Sequence, residues 1–127
     1  MSSYKKDLGA FGEEKACEFL QENGYEILAR NYRSRAGEID IIAMKDDILV
    51  FTEVKTRTST AFGMPSEAVS YKKQDKYFRT AMHYITETGT RDIAYRFDII
   101  EVVVEKGAVS INHIMDAYRQ VRIRFYM

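Results

Sequence analysis

Residues 37–55 read GEIDIIAMKDDILVFTEVK, and four charges, Glu38, Asp40, Glu53 and Lys55, sit inside an otherwise apolar run. Ile39 to Ala43 and Ile48 to Lys55 have the composition of strands, with Lys45-Asp46-Asp47 as a polar hairpin loop between them. Side chains alternate faces along a strand, so Glu38, Asp40 and Ile42 share one face. Leu49, Phe51, Glu53 and Lys55 share one face of the next strand by the same rule. Pairing Met44 with Leu49, with Lys45 to Ile48 as the loop, sets Ile42 opposite Phe51, Asp40 opposite Glu53 and Glu38 opposite Lys55. The other face then buries Ile39, Ile41, Val50 and Val54.

Two carboxylates directly opposite have Cβ atoms roughly 5 Å apart. At an effective dielectric of about 20 they repel by about 3 kcal/mol, against a net stability on the order of 10 kcal/mol. A bound cation, a raised pKa on one acid, or salt bridging by Lys55 would relieve this, and only a cation takes up both charges. Hard oxygen donors with waters suit Mg²⁺ better than zinc. The plainer alternative pairs Glu38 with Lys55 on a solvated sheet face. Apolar Ile42, Leu49 and Phe51 on that same face speak against solvation, but spacing leaves both readings open.

Outward from the hairpin, Leu8, Phe11, Ala16, Phe19 and Leu20 recur at helical spacing from about Tyr4 to Asn23, and Asn23-Gly24 is a stop signal. At 100° per residue Glu13 falls beside Gly9, Ala16 and Leu20, flanking the inward face, whereas Glu14 falls nearly opposite with Glu18 and Gln21. Glu13 is thus a candidate third acid, the alternative being an edge glutamate that reaches water. Tyr25 to Tyr32 reads as a strand, Ser34 to Gly37 as a turn, and Thr56 to Ser66 as a long irregular loop. Ser70 can cap a second helix to about Glu87, with Tyr77, Phe78, Ala81, Tyr84 and Ile85 inside. Tyr95 to Val104 and Val109 to Met115 follow as strands about Lys106-Gly107. The order of helix, three strands, helix and two strands predicts an α/β or α+β fold on one mixed central sheet.

The chain has 127 residues, 46% apolar and 30% charged, with no repeat or linker, so one domain over residues 1–127 is expected. Nineteen basic residues balance nineteen acidic ones, so binding to a polyanion would rest on a local patch. Lys72, Lys73, Lys76 and Arg79 outnumber Asp75 at the start of the second helix, against the dipole preference. A solvated face is the default there, and a phosphate-binding edge the functional reading. Arg30, Arg33, Arg35 and Arg57 would extend such an edge, whereas Arg119, Arg122 and Arg124 receive no role. A lone Cys17 excludes an internal disulfide. The segment MSSYKKDLG lacks a signal-peptide core and no apolar run reaches spanning length, so a cytoplasmic location away from membranes is expected.

Asp40 followed by Glu53-Val54-Lys55 resembles the D…E-X-K core of the restriction-endonuclease-like, or PD-(D/E)XK, superfamily. The closer resemblance is to the YraN-like family of predicted bacterial nucleases. It spans Gly9-x-x-Gly12-Glu13-x-x-Ala16, Gly24-Tyr25, Asn31-Tyr32-Arg33, Gly37-Glu38-Ile39-Asp40 and Phe51-x-Glu53-Val54-Lys55-x-Arg57. It continues through Phe62-Gly63, Glu67-Ala68-Val69, Lys73 eight residues before Ala81, and Arg96-Phe97-Asp98. Thr52 departs from it, standing where an apolar residue is expected, off the acidic face. The resemblance implies a helix-strand-strand-strand-helix-strand core and a metal-dependent nuclease. Asp40 and Glu53 would bind Mg²⁺, with Mn²⁺ able to substitute, and Lys55 would help position or activate the attacking water. Glu13 matches a first-helix glutamate of archaeal junction resolvases and would hold a second metal or a water, with Glu38 in support. Arg33, Arg35, Arg57, Lys72, Lys73 and Lys76 would meet the backbone of DNA, RNA remaining open. Selectivity for junctions, flaps or single strands, and a homodimer or protein partner, belong to the same expectation. A non-catalytic nucleic-acid- or partner-binding module on the same fold is the rival reading.

Overall fold

The computed structural model describes residues 2–58, 70–90 and 92–118, with side chains from Lys6 onward. The elements run α1 (Ser2–Glu22), β1 (Glu26–Arg33), β2 (Glu38–Lys45), β3 (Ile48–Arg57), α2 (Tyr71–Thr88), β4 (Ala94–Glu105) and β5 (Ala108–Tyr118). This is the predicted order. Most of the loop read over Thr56 to Ser66, with Phe62-Gly63, Glu67 to Val69, Arg119, Arg122 and Arg124, lies outside the described residues.

The strands form one sheet in the order β1-β2-β3-β4-β5. Neighbours are antiparallel except β3 and β4, which run parallel and are connected through α2. A parallel pair needs such a crossover, whereas β2 and β3 need only a tight turn. Asp46 and Asp47 take that turn at φ 52 and 63, the left-handed pair of a two-residue hairpin that aspartate tolerates. Lys45 therefore pairs with Ile48, a tighter loop than expected, while Met44↔Leu49 and Ile42↔Phe51 hold the predicted register.

Each helix covers one sheet face. Ala16, Cys17 and Leu20 of α1 pack with Ile41, Ala43, Val50, Ile100 and Val102. Ala81 and Tyr84 of α2 pack with Ile39, Ile42, Leu49, Phe51 and Phe97. Ile39 thus leaves the face shared by Ile41 and Val50, contrary to strict alternation, and Phe11 stands outside at 38% exposure with the Lys15 ammonium over its ring. The alternation fails at Asp40. Asn31, between Arg30↔Ile41 and Tyr32↔Ile39, is left-handed at φ 54, while the β1–β2 register itself shifts earlier, between Ile27 and Ala29. On the β3 side the ladder ends at Ile41↔Thr52.

No described helix is long and apolar enough to cross a membrane. The end of α1 follows from its sequence. Asn23 Nδ2 donates to the Phe19 carbonyl at 2.8 Å, and Gly24 turns left-handed at φ 88. Ser70 caps α2, its hydroxyl accepting from Lys73 N at 3.3 Å, and Gly89 at φ 72 closes it.

The seat of α1 on β3 depends on Gly12. A Cβ there would overlap Thr56 Oγ1 and stand 2.9 Å from Thr56 Cβ, while one at Gly9 would meet nothing within 4 Å. Gly12→Ala is therefore expected to lose about 1–3 kcal/mol through overpacking. Gly9→Ala is expected to gain up to about 1 kcal/mol in helix propensity. Urea denaturation of both variants checks this, and equal midpoints would show that α1 yields freely.

A polar cluster lies under α1 where β4 meets β5. Asp98, fully buried, accepts from Arg96 Nε at 3.0 Å and from the Asp116 amide at 2.9 Å, and His113 Nε2 lies 2.7 Å from its Oδ2. Arg96 also donates to the Tyr25 hydroxyl at 2.7 Å. The register shifts here, between Phe97 and Ile99, and the Asp98 side chain takes up an amide at the break.

Candidate active site

Asp40 occupies the corresponding break between β2 and β3. Its Oδ2 accepts from the Val54 amide at 2.8 Å, so a side chain replaces the next ladder bond. The strands part there, and Asp40 reaches clefts on both sides of the sheet. On the α1 side it lines an opening with Leu8, Gly9, Glu13, Val54 and Thr56. On the α2 side it lines a cleft of about 210 Å³ with Glu38, Glu53, Tyr77, Phe97 and Tyr118 among others. Burial pushes the Asp40 carboxyl up to about 6; the Val54 amide opposes this, while the charges of Glu13, Glu53 and Glu38, in that order, add to it.

Glu53 is the second acid of the α2-side cleft. Its Oε2 lies 3.4 Å from Lys55 Nζ and 3.9 Å from Lys73 Nζ. Its Oε1 is buried with no hydrogen-bond partner among the described residues. Burial, followed by the charge of Glu53 and a hydrogen bond to it, raises Tyr77 far above the usual phenol range. Burial and the Glu53 and Asp98 charges do the same to Tyr118. Both phenols are therefore neutral at ordinary pH.

Asp40, Glu53, Glu13 and Glu38 thus gather about one ladder break, with Lys55 and Lys73 at its edge. Glu38 does not pair with Lys55. It sits opposite Arg33 on β1 and meets Arg33 Nε at 3.5 Å, while Lys55, two residues from Glu53 on the same strand face, turns back to that acid. Glu14, on the outer side of α1, pairs with Arg30 at 3.2 Å.

The basic residues disperse. Arg33 and Arg35 line a separate cleft with Ser34, His83 and Glu87, and Lys72 and Lys76 are exposed on α2. Arg57 faces the buried Glu101 at 3.3 Å. Sequence reading gave no site role to Tyr77, Tyr118, Thr52 or Glu101. Tyr77 follows Lys73 by one helical turn, and that spacing places both against Glu53. Thr52, assigned away from the acids, lines the α2-side cleft, its buried Oγ1 without a hydrogen-bond partner among the described residues.

The donor set fits a hard cation. Among the described residues no three His, Cys, Asp or Glu side chains form a cage. Mg²⁺ needs only one or two carboxylates, keeping waters or substrate oxygens for the rest. The orphaned, buried oxygen of Glu53 beside Asp40 meets that requirement.

A five-stranded mixed sheet flanked by helices, with acids and a lysine at its central hairpin, is compatible with a restriction-endonuclease-like core. The chain belongs to the uncharacterised protein family UPF0102, the YraN-like family, whose family model matches residues 12–102. A UPF0102 protein of Alkaliphilus oremlandii is 50% identical over 115 residues, spanning 89% of this chain and 98% of the relative. One from Caldicellulosiruptor saccharolyticus is 47% identical over 116 residues, spanning 90% and 98%. One from Clostridium botulinum strain Alaska E43 is 40% identical over 121 residues, spanning 94% and 99%.

Proposed function

We propose that the protein is a cytoplasmic, Mg²⁺-dependent nuclease that hydrolyses phosphodiester bonds in DNA. The observation that carries this reading is the buried, unpartnered Glu53 Oε1 sharing a cleft with Asp40. The Lys55 and Lys73 ammoniums face the other oxygen, Oε2, and a buried carboxylate oxygen with no donor of its own is costly unless a cation meets it. Asp40 and Glu53 would hold Mg²⁺, with Mn²⁺ an acceptable substitute and Glu13 reaching the other side of Asp40. When bound, the ion supplies charge stabilisation at the phosphate and acidifies water.

The chain's own groups do the rest. Lys55, now 3.4 Å from Glu53, donates to the attacking water or a phosphate oxygen as a compact point charge. Lys73 sits at the cleft edge and takes the adjacent phosphate. Glu38 keeps Arg33 at the rim, and Arg35 with the α2 lysines extends the contact along the backbone. Such contacts position DNA without reading its sequence. The dispersal of the cations favours a homodimer or protein partner completing the basic surface.

Isothermal calorimetry with Mg²⁺ and Mn²⁺ tests the metal site. Wild type is expected to bind and Asp40→Ala to lose binding by at least about tenfold; silence in wild type removes the site. Cleavage of junction, flap and single-stranded DNA by wild type, with a loss of roughly 100-fold or more in Lys55→Ala, separates a nuclease from a binding module. Equal residual cleavage by both exposes a contaminant.

A further inference from the structure

We infer that the α2-side cleft takes an unpaired nucleotide of single-stranded DNA, its base against the rings of Tyr77 and Tyr118 and its phosphate at the acids; this substrate class rests on the nuclease reading above. The cleft lining is of two chemical kinds. Glu38, Asp40 and Glu53 supply carboxylates, and Phe51, Phe97, Tyr77 and Tyr118 supply rings. Tyr118 stacks on Phe97 with centroids 5.3 Å apart and planes at 17°, and on Tyr77 at 6.2 Å and 25°. Tyr77 and Tyr118 line the same cleft as Glu53, and its charge bears on both phenols, so base and phosphate sites adjoin.

Size and charge point the same way. At about 30 Å³ per water, a volume of about 210 Å³ is that of about seven waters, room enough for one heterocycle. A base inside a duplex cannot enter without leaving its stack, a requirement that an unpaired strand escapes. Backbone electrostatics alone give little hold, since the chain has zero net charge. Arg30, Arg33, Arg57, Arg79 and Arg96 each face a carboxylate within 3.5 Å. Binding to duplex DNA draws on phosphate neutralisation by unpaired cations, whereas stacking on aromatic rings does not.

The test uses a short oligonucleotide carrying 2-aminopurine, as a single strand and as a blunt duplex, with Ca²⁺ to limit cleavage. Wild type is expected to quench the probe in the single strand and to bind it at least about tenfold more tightly than the duplex. Tyr77→Ala and Tyr118→Ala are expected to weaken single-strand binding by about tenfold and leave duplex binding unchanged, while Tyr77→Phe keeps it. Equal affinity for both DNAs, or wild-type quenching by a folded Tyr77→Ala protein, overturns the inference. Should Tyr118→Ala fail to fold, the half-buried Tyr77 decides through its Phe and Ala variants. Quenching without cleavage in Mg²⁺ or Mn²⁺ leaves the inference standing and removes hydrolysis. Equal cleavage of duplex and single strand does the reverse, and no DNA binding at all removes both.

Discussion

Asp40→Asn is expected to melt roughly 10 °C above the wild type at pH 8 while losing Mg²⁺ binding and cleavage. The folded carboxyl titrates near 6, against 3.8 for a free side chain, because it is buried among Glu13, Glu53 and Glu38. Its raised folded value means the native state holds the proton more tightly than the unfolded chain. No penalty exists below the unfolded value; it grows as pH rises from 3.8 to about 6 and is complete above that. A shift of this size is worth about 3 kcal/mol, or roughly 10 °C in a domain of this length. Asparagine removes the charge and keeps an oxygen for the Val54 amide. The two proteins are therefore expected to melt together near pH 3.5 and to separate as pH rises through 6. Added Mg²⁺ stabilises only the wild type and narrows the gap, since a ligand bound to the native state alone raises its stability. Thermal melts across pH, with and without Mg²⁺, give the answer. An asparagine variant that melts lower than wild type at pH 8 would make Asp40 a structural aspartate.

The hairpin was readable because two local signals agreed, alternation in both strands and two aspartates at the turn. Sheet register follows from them, and Met44 does pair with Leu49. Glu13 was readable for a similar reason: helical period alone separates it from Glu14. What the sequence concealed depends on contacts between distant elements. Gly9 and Gly12 look alike in α1, yet only Gly12 is pressed by Thr56. The Glu38–Lys55 pairing fails because Asp40 spends its side chain on the Val54 amide, an exchange that periodicity cannot express. Tyr118 lies beyond the expected end of β5, so its place beside Glu53 could not be foreseen. Glu101 hides in the apolar run Ile99 to Val104, where only the fold discloses its ion pair with Arg57.

Asp98→Ala is expected to cost about 3–5 kcal/mol, the usual price of removing one member of a buried charged cluster. Asp98 and Asp40 occupy matching positions, each with its side chain on an amide where a ladder breaks, yet their surroundings have opposite sign. Burial alone would raise Asp98. The His113 and Arg96 hydrogen bonds, the Asp116 amide and the Arg96 charge outweigh it and hold the carboxyl below its ordinary 3.8. Its stabilisation is thus present above the unfolded value and disappears as pH falls below 3.8 toward the lower folded value. Alanine leaves the Arg96 guanidinium, the His113 ring and the Asp116 amide without their shared acceptor. Urea unfolding at pH 7 and at about pH 3 measures the effect. The gap between wild type and variant is expected to be full at pH 7 and to shrink only below about pH 4, the reverse of the Asp40→Asn pattern. A loss under about 1 kcal/mol at pH 7 would mean that water or repacking replaces the carboxylate. A full loss with Mg²⁺ binding kept by the folded fraction would separate the aspartate that holds β4 to β5 from the one that parts β2 from β3.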